Sequence, residues 1–431
     1  MADEDPMAIA SLIADGDDHA AFGRLRARLG WPTGKTIAPA ELPRWLDLVG
    51  ELAARRGASS LADLAYAAVR DPDSPDQLYD LGYALIDAGA PAIAATILWR
   101  CLDLVGESEE VVCELVAALE SALAYSDAFV ILGAHQQLRA QSFMCRYMYA
   151  FNAVMTGRLD IVRAELPGIA PDSHETADMA DTLAAMLARA DRVAGVCPLD
   201  TRDLRGWHYV LSGGLLAHQS PYGFDEPMHG RYAWFADTLA HVAFGIARLG
   251  ELVRGIDDGC VYAPPGRDHE IVATAAAKQL GLPLAPWPAI GVPAPGLVVL
   301  YDLAELPAGE LAKLQQRRAD QVVYAHASPW TTDSPIAADI TTLLYQSLVA
   351  PWGESMVIDP DSRQVTSAPP DERPVEEIAE ELAATPVLEP NELAADEPER
   401  WQALVARVWP LEPAPRARLR AGGPVPSNRF A

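Results

Sequence analysis

The sequence predicts an α + α/β protein, in which an N-terminal helical-repeat solenoid precedes a small parallel-sheet α/β domain and an acidic tail rich in proline and glutamate. Three observations favour this fold class. Apolar residues recur with a 34-residue period in the first half, strands and helices alternate after Val253, and proline and acidic residues dominate after Thr366. We therefore divide the chain into residues 1–195, 196–254, 255–352 and 353–431.

The composition limits the partners that the chain can have. Its 431 residues carry 60 acidic and 33 Lys or Arg side chains, and this charge of -27 disfavours nucleic acid and anionic membrane surfaces. No apolar run approaches the roughly 18 residues of a membrane span, and the acidic start MADEDPMAIA is not typical of a signal peptide. The five cysteines form no CxxC pair, which is typical of buried thiols in a reducing compartment. We predict a cytoplasmic protein.

The region from about 41 to 190 has the pattern of short helices in a longer repeat. Small or apolar residues stand at nearly every 34-residue interval from Leu78, Gly82 and Ala94, with Arg146 as the main exception. The clearest unit is LYDLGYALIDAGAPAIAATILWRCL (78–102). This spacing resembles the tetratricopeptide repeat, whose unit is two antiparallel helices in about 34 residues. The resemblance implies stacked helix pairs with a concave face that binds a peptide or another protein. An irregular helical bundle is the alternative.

Aromatic and histidine side chains are concentrated between Asp200 and Asp237. They fit a ligand pocket or partner groove with Arg231 and Glu226 as polar anchors, or a packed junction between domains. A metal site at the histidines is a third interpretation, but their spacing matches no compact ligand motif, and we predict no metal. The candidate ligand-binding residues, including one in the following domain, are Trp207, His208, His218, His229, Arg231 and Asp268.

The second half alternates between strand and helix patterns. GCVYAP (259–264) and LPLAPW (282–287) predict strands on either side of the helix EIVATAAAKQLG (270–281). Four further segments predict strand, helix, strand and helix in turn, namely LVVLYDL (297–303), PAGELAKLQQRRA (307–319), QVVYAHAS (321–328) and PIAADITTLLYQSLV (335–349). This alternation predicts a parallel sheet with right-handed crossovers.

Two of these stretches, 261–284 and 297–328, are together similar to the core of the type I phosphoribosyltransferases. In that family a strand ends in two acidic residues, and a following loop of threonines and glycines holds the ribose and 5-phosphate of phosphoribosyl pyrophosphate. Here Asp302 is the one acidic residue left at the strand end, and the loop AELPAGE has no hydroxyl group and carries Glu305 and Glu310. Repulsion between these carboxylates and a phosphate predicts a degenerate loop that binds phosphate poorly.

The loop GRDHE (266–270) follows a strand at the position where open α/β sheets place ligand groups. Arg267 and His269 in this loop, together with Asp302, are the candidate catalytic residues. The alternative is a helix start, in which Asp268 caps the helix and Glu270 favours its dipole. The sequence leaves both interpretations open.

The tail completes the assignment. Its acidic composition predicts a largely disordered segment, with a short amphipathic helix at VEEIAEELAA and another helix near 398–409 that puts Trp401, Leu404 and Val408 on one face.

We predict a non-catalytic scaffold or adaptor that needs no cofactor, binds a protein or peptide through its repeats, and is compatible with homo-oligomer formation. The alternatives are a divergent phosphoribosyl or glycosyl transferase and a small-molecule sensor.

Overall fold

The structure, a computed structural model, describes residues 5–223, 228–253, 259–288, 291, 295–318, 320–358, 365–388, 398–412 and 414–429. The chain forms two compact units, Met1–Leu183 and Ala184–Ala431, which we call unit 1 and unit 2. The described part of unit 1 is helical, and unit 2 contains a parallel sheet. A helical region followed by an α/β region therefore agrees with the sequence prediction.

Unit 1 consists of consecutive helices joined by short loops. They are α1 (Pro6–Asp15), α2 (Asp18–Leu29), α3 (Leu42–Arg55), α4 (Ser59–Arg70), α5 (Pro75–Asp87), α6 (Pro91–Val105), α7 (Glu109–Ser121), α8 (Tyr125–Ala134), α9 (Gln136–Gln141), α10 (Phe143–Met155), α11 (Leu159–Glu165) and α12 (His174–Arg192), the last of which extends into unit 2.

Three of these helices begin in the same way. The helices α5, α7 and α10 start 34 residues apart, and each is preceded by a serine, at Ser74, Ser108 or Ser142. In each case the serine hydroxyl accepts a hydrogen bond from the backbone N–H three residues later, which satisfies one of the free donors at the helix start. The helix boundaries are thus fixed locally by the sequence.

Glycine allows close helix contacts within unit 1. A Cβ atom at Gly82 of α5 would lie 2.5 Å from Cγ of Leu98 on α6. Likewise, a Cβ atom at Gly50 of α3 would lie 2.7 Å from the ring of Tyr66 on α4. These pairs pack closely because neither glycine has a side chain, and the apolar faces of the helices form one continuous core.

Unit 2 follows the helices with strands and further helices. Its elements are α13 (Leu204–Ser212), β1 (Leu215–Leu216), β2 (Tyr232–Ala236), α14 (Leu239–Leu252), β3 (Val261–Tyr262), α15 (Arg267–Leu280), β4 (Leu284–Ala285), β5 (Gly296–Asp302), α16 (Ala308–Lys313), β6 (Gln321–Pro329), β7 (Ile340–Val349), β8 (Ser355–Ile358), β9 (Val365–Ala368), α17 (Val375–Ala384) and α18 (Pro398–Val408).

Seven strands of the described residues form one parallel sheet. Their order is β4-β3-β5-β6-β7-β1, and β2 also pairs with β7, beyond the residues that pair with β1. The register places Val298 of β5 opposite Val323 of β6, and Tyr324 of β6 opposite Ile340 of β7. Strands β8 and β9 form a separate antiparallel pair. The segment between α13 and α14 therefore contributes strands to the main sheet.

The structure confirms most predicted elements of the α/β region and corrects one. Strands β5 and β6 and helix α15 are confirmed, but the helix predicted at 335–349 is wrong, because this segment forms strand β7. Residues Ile340, Thr341 and Thr342 are β-branched, and they are buried within the sheet. A strand buried on both faces is a nearly continuous apolar run, which periodicity alone does not distinguish from a buried helix.

The tail contains both predicted helices, α17 and α18. Trp401, Leu404 and Val408 of α18 are buried, and the amphipathic pattern predicted for this helix is therefore confirmed. Residues 389–397 of the predicted disordered segment lie outside the described residues. No described helix combines the length and apolar character that a bilayer crossing requires.

Candidate functional site

The order of the strands defines one edge of the sheet as a candidate site. The chain passes from β3 to β4 in one direction and then continues through β5, β6 and β7 in the other, so β3 and β5 lie side by side at a topological switch point. Open α/β sheets bind ligands in the crevice outside the carboxyl ends of such strands. The loop before α15 and the turn after β5 both begin there.

Asp302 is the last residue of β5 at this edge, and its carboxylate is hydrogen-bonded within the protein. The residue is 6% exposed, and its carboxylate accepts hydrogen bonds from the Tyr345 hydroxyl and from the Ala304 backbone N–H, the latter at 2.9 Å. Burial raises the pKa of the Asp302 carboxyl, and the two hydrogen bonds partly oppose this effect. Each oxygen of the carboxylate therefore already accepts one hydrogen bond from the protein, and burial limits the access of a ligand.

His269 lies beneath the same edge as a buried neutral ring. Its Nδ1 atom accepts a hydrogen bond of 3.2 Å from the Tyr301 backbone N–H, so Nδ1 carries no proton. Burial lowers the pKa of the imidazole to about 4. His269 thus links α15 to β5 as a hydrogen-bond acceptor at neutral pH.

The two residues before His269 have structural partners. The Asp268 carboxylate accepts a 2.8 Å hydrogen bond from Nε1 of Trp352. The Arg267 guanidinium donates to the backbone carbonyls of Asp371 and Arg373, at 2.6 and 2.9 Å. Arg267 therefore binds the segment before α17.

The turn after β5 brings a third carboxylate to the edge. Partial desolvation, with repulsion from Asp268 and Asp302, raises the pKa of Glu305 to about 7. Glu310 differs, because Lys313 at 2.7 Å and Trp287 at 2.6 Å hydrogen-bond its carboxylate and lower its pKa. Lys313 thus compensates the charge of Glu310, and the repulsion of phosphate by this loop stays a prediction.

A buried polar network that the sequence analysis did not single out lies behind this edge. The carboxylate of Asp237 accepts hydrogen bonds from the Tyr301 hydroxyl at 3.0 Å and from His326 Nε2 at 2.8 Å. The side chains of Asp237 and His326 are completely buried. Nearby, the Tyr324 hydroxyl is 2.9 Å from that of Thr342. Complete burial of this network indicates a structural role. The sequence gives only a weak signal for this network, because the signal consists of single polar side chains within otherwise apolar strands.

Three of the predicted ligand-binding residues meet in unit 2. Trp207, His208 and Arg231 line a cavity of about 40 Å³ together with Trp330 and residues 419–425. Burial, with the nearby charge of Arg231, lowers the pKa of His208 to about 4. Arg231 donates a hydrogen bond of 3.2 Å to a backbone carbonyl of the C-terminal segment. A cavity of this size has room for water but not for a metabolite.

The other predicted ligand-binding residues lie elsewhere. His218 Nε2 is 2.7 Å from the Tyr232 hydroxyl, and His229 occupies a turn with a φ of 44°. Neither is among the described residues that line the small cavity. Asp268 lies at the sheet edge, and Glu226 lies outside the described residues. The described residues contain no group of three or more His, Cys, Asp or Glu side chains that could hold a metal ion.

Unit 1 has a surface pocket of about 270 Å³. Arg56 is the charged residue among its described lining residues, and Ala58 and Ala88 are exposed at its rim. The larger side chains of its wall are apolar and come from α2 to α6, namely Phe22, Leu25, Val49, Leu52, Leu61, Leu85 and Ile93. The pocket suits an apolar side chain of a ligand.

Neither a family model nor a curated protein matches the amino-acid sequence.

Proposed function

We propose that the protein is a non-catalytic adaptor that binds a peptide or protein partner through the helical repeats of unit 1. The surface pocket lined by helices α2 to α6 is the observation that carries this proposal, because it offers apolar surface where a partner side chain can be buried. Helix starts at 34-residue intervals support a tetratricopeptide-like unit, and such repeats form extended binding surfaces.

The lining of the pocket indicates the chemistry of the partner. Its wall is aliphatic and aromatic, so it favours a bulky apolar anchor such as leucine or phenylalanine. Arg56 lies at the rim and is exposed, where it can pair with a carboxylate. We therefore expect a peptide in which a large apolar residue is followed or preceded by Asp or Glu.

The condition of the candidate catalytic residues also supports an adaptor. Each of them already has a hydrogen-bond partner within the protein. The Asp302 carboxylate accepts from the Tyr345 hydroxyl, and the Arg267 guanidinium donates to backbone carbonyls. The His269 ring accepts from the Tyr301 backbone N–H. The segment that corresponds to a phosphate loop forms a short 3-10 turn, Leu303–Glu305, followed by α16. In this proposal the phosphoribosyltransferase-like region has lost its phosphate grip and serves structure or assembly.

Selection from a random dodecapeptide library displayed on phage, with the full-length protein as bait, tests the adaptor. We expect enriched peptides to contain an apolar residue beside an acidic one. Substitution Ala88→Glu, which places a bulky anion at the pocket rim, should weaken their binding by about tenfold or more, because it narrows the pocket and repels the acidic residue. Val130→Glu is the matched control, because Val130 is 65% exposed on α8 and is not among the pocket's lining residues. Equal binding to the wild type and Ala88→Glu would refute the proposal.

A divergent transferase is the second candidate, and Glu305 is the observation that favours it. A carboxyl with a pKa of about 7 beside Asp268 and Asp302 is suited to general acid–base catalysis. Calorimetric titration with phosphoribosyl pyrophosphate distinguishes the two candidates. Saturable micromolar binding that disappears in Asp302→Asn would replace the adaptor proposal with a transferase.

A further inference from the structure

Two cysteines of unit 1 face each other across neighbouring helices. Sγ of Cys113 on α7 lies 3.7 Å from Sγ of Cys145 on α10, although 32 positions separate them in the sequence. Both thiols are free, and the other described cysteines show no such thiol–thiol contact. The contact is therefore a product of how the repeats stack.

We propose that Cys113 and Cys145 form a reversible oxidative modification site, in which a peroxide converts the two thiols into an intramolecular disulfide. The distance carries the proposal, because bonded sulfurs lie roughly 2.05 Å apart and each sulfur needs to move by less than about 1 Å. Cys113 is partly exposed and meets the oxidant, while Cys145 is fully buried and acts as the resolving thiol.

The contact favours a thiolate within the pair, because a thiol that donates a hydrogen bond to the neighbouring sulfur stabilises the charged form of that sulfur, and either thiol can be the donor. With Cys113 as the donor, the contact lowers the pKa of Cys145 and raises that of Cys113. Exposure rather than pKa therefore assigns the roles, because Cys113 is the partly exposed thiol and Cys145 is buried. A proton moves easily between two sulfurs in direct contact, so either sulfur can become the nucleophilic thiolate.

The reaction balances with hydrogen peroxide as the oxidant. The Cys113 thiolate attacks one peroxide oxygen, the O–O bond breaks, and the departing hydroxide takes up a proton to leave as water. Sγ of Cys145 then attacks the sulfur of the Cys113 sulfenic acid, the S–O bond breaks, and a second water leaves with the remaining thiol proton. Two thiols are oxidised to one disulfide, and one peroxide is reduced to two waters.

The disulfide would connect α7 directly to α10 across the intervening α8 and α9. Closing a covalent loop of this length removes conformational freedom mainly from the unfolded chain. The oxidised protein should therefore unfold at a higher temperature than the reduced protein. This effect is independent of the peptide-binding proposal, because it requires no partner.

Differential alkylation of the full-length protein tests the inference. The protein is treated with stoichiometric hydrogen peroxide, unfolded, alkylated with N-ethylmaleimide and digested for mass spectrometry. We expect a cross-linked peptide pair that contains Cys113 and Cys145, with a mass loss of about 2 Da and full recovery of both thiols after dithiothreitol. Cys101 is the internal control, because it is fully buried and its sulfur contacts the Pro75 carbonyl rather than a thiol.

Two variants make the test independent of the wild-type disulfide. In Cys145→Ser, the Cys113 sulfenic acid has no resolving thiol, so dimedone should trap it after peroxide treatment. In Cys113→Ser, Cys145 should remain reduced at the same peroxide concentration. The inference is overturned if both thiols of the wild type stay available to N-ethylmaleimide, or if they are oxidised separately to sulfinic acids without forming a cross-link.

Discussion

The guanidinium of Arg416 and the carboxylate of Asp339 form a two-point ion pair that is sealed inside unit 2. Nη2 of Arg416 lies 2.6 Å from Oδ2 of Asp339, and Nε lies 3.1 Å from both carboxylate oxygens. The side chains are 0% and 2% exposed. Asp339 also accepts from Arg317 and from the backbone N–H of Val323, so the pair connects the C-terminal segment to the sheet.

Removal of the buried cation should destabilise unit 2. In Arg416→Ala we expect the free energy of unfolding to fall by about 3 kcal/mol, because the buried carboxylate of Asp339 loses one of its two cationic partners. Urea denaturation followed by tryptophan fluorescence measures the change. Arg418→Ala is the matched control, because the Arg418 side chain is 60% exposed and its Nη2 lies as far as 4.0 Å from Oδ2 of Asp333. This substitution should lower the free energy of unfolding by less than about 1 kcal/mol. Equal losses in the two variants would contradict the prediction.

A methyl group at Gly245 should disrupt the buried polar network. A Cβ atom at this position of α14 would lie 2.3 Å from the Tyr324 hydroxyl and 2.5 Å from that of Thr342. We expect Gly245→Ala to lower the free energy of unfolding by about 1–3 kcal/mol, because the well-packed surroundings must shift. Thermal unfolding measures this effect.

The same contact provides the control for this prediction. Adding Tyr324→Phe removes the nearest clashing oxygen, so the double variant should lose less than the sum of the two single variants. Gly309→Ala should be neutral within about 0.5 kcal/mol, because no atom lies within 4 Å of its added Cβ. Strict additivity of Gly245→Ala and Tyr324→Phe would show that the clash is not the cause.

His269 should make the protein less stable in acid. Its pKa is about 4 in the folded protein and roughly 6.5 in the unfolded chain, so the unfolded state binds more protons between these values. The stability contribution is complete above pH 6.5 and is lost as the pH falls through 4. In His269→Asn, the amide oxygen can still accept from Tyr301 but does not titrate.

The measurement is the free energy of unfolding of the wild type and His269→Asn at pH 7 and pH 4. The wild type should lose up to about 3 kcal/mol more than the variant between these two pH values. His174→Asn is the control for the substitution itself, because the side chain of His174 is 93% exposed and its replacement should change the free energy of unfolding at pH 7 by less than about 0.5 kcal/mol. A pH dependence that is identical in the wild type and His269→Asn would be inconsistent with a buried neutral imidazole.

Leu123 carries backbone strain that its repeat equivalents avoid. It joins α7 to α8 with a φ of 60°, whereas glycine occupies the corresponding turns at Gly89 and Gly157, with φ of 76° and 77°. We expect Leu123→Gly to raise the free energy of unfolding by about 0.5–1 kcal/mol, because glycine adopts the left-handed region without a Cβ clash. Gly89→Ala should cost about 1 kcal/mol in the same thermal assay. A loss of stability in Leu123→Gly would mean that packing of the leucine outweighs the strain.

Much of the secondary structure follows from signals that are local in the sequence. Serines before α5, α7 and α10 and proline at the start of α5 and α6 fix helix starts, because capping involves residues only a few positions apart. Strands β5 and β6 and the short helix α17 are also predicted nearly to their observed ends. Strand β7 is not, because its apolar run fits either a buried strand or a buried helix.

The sequence by itself determined the helical first half, the alternation of strands and helices, and the presence of Asp302, Arg267 and His269 near strand ends. Only the tertiary structure decided which groups meet. Asp237, Tyr301 and His326 are far apart in the chain, as are Cys113 and Cys145, and each contact depends on strand order or helix stacking. The physical reason is that a hydrogen-bond or thiol contact requires a separation of a few ångströms, and chain packing rather than local pattern sets that distance.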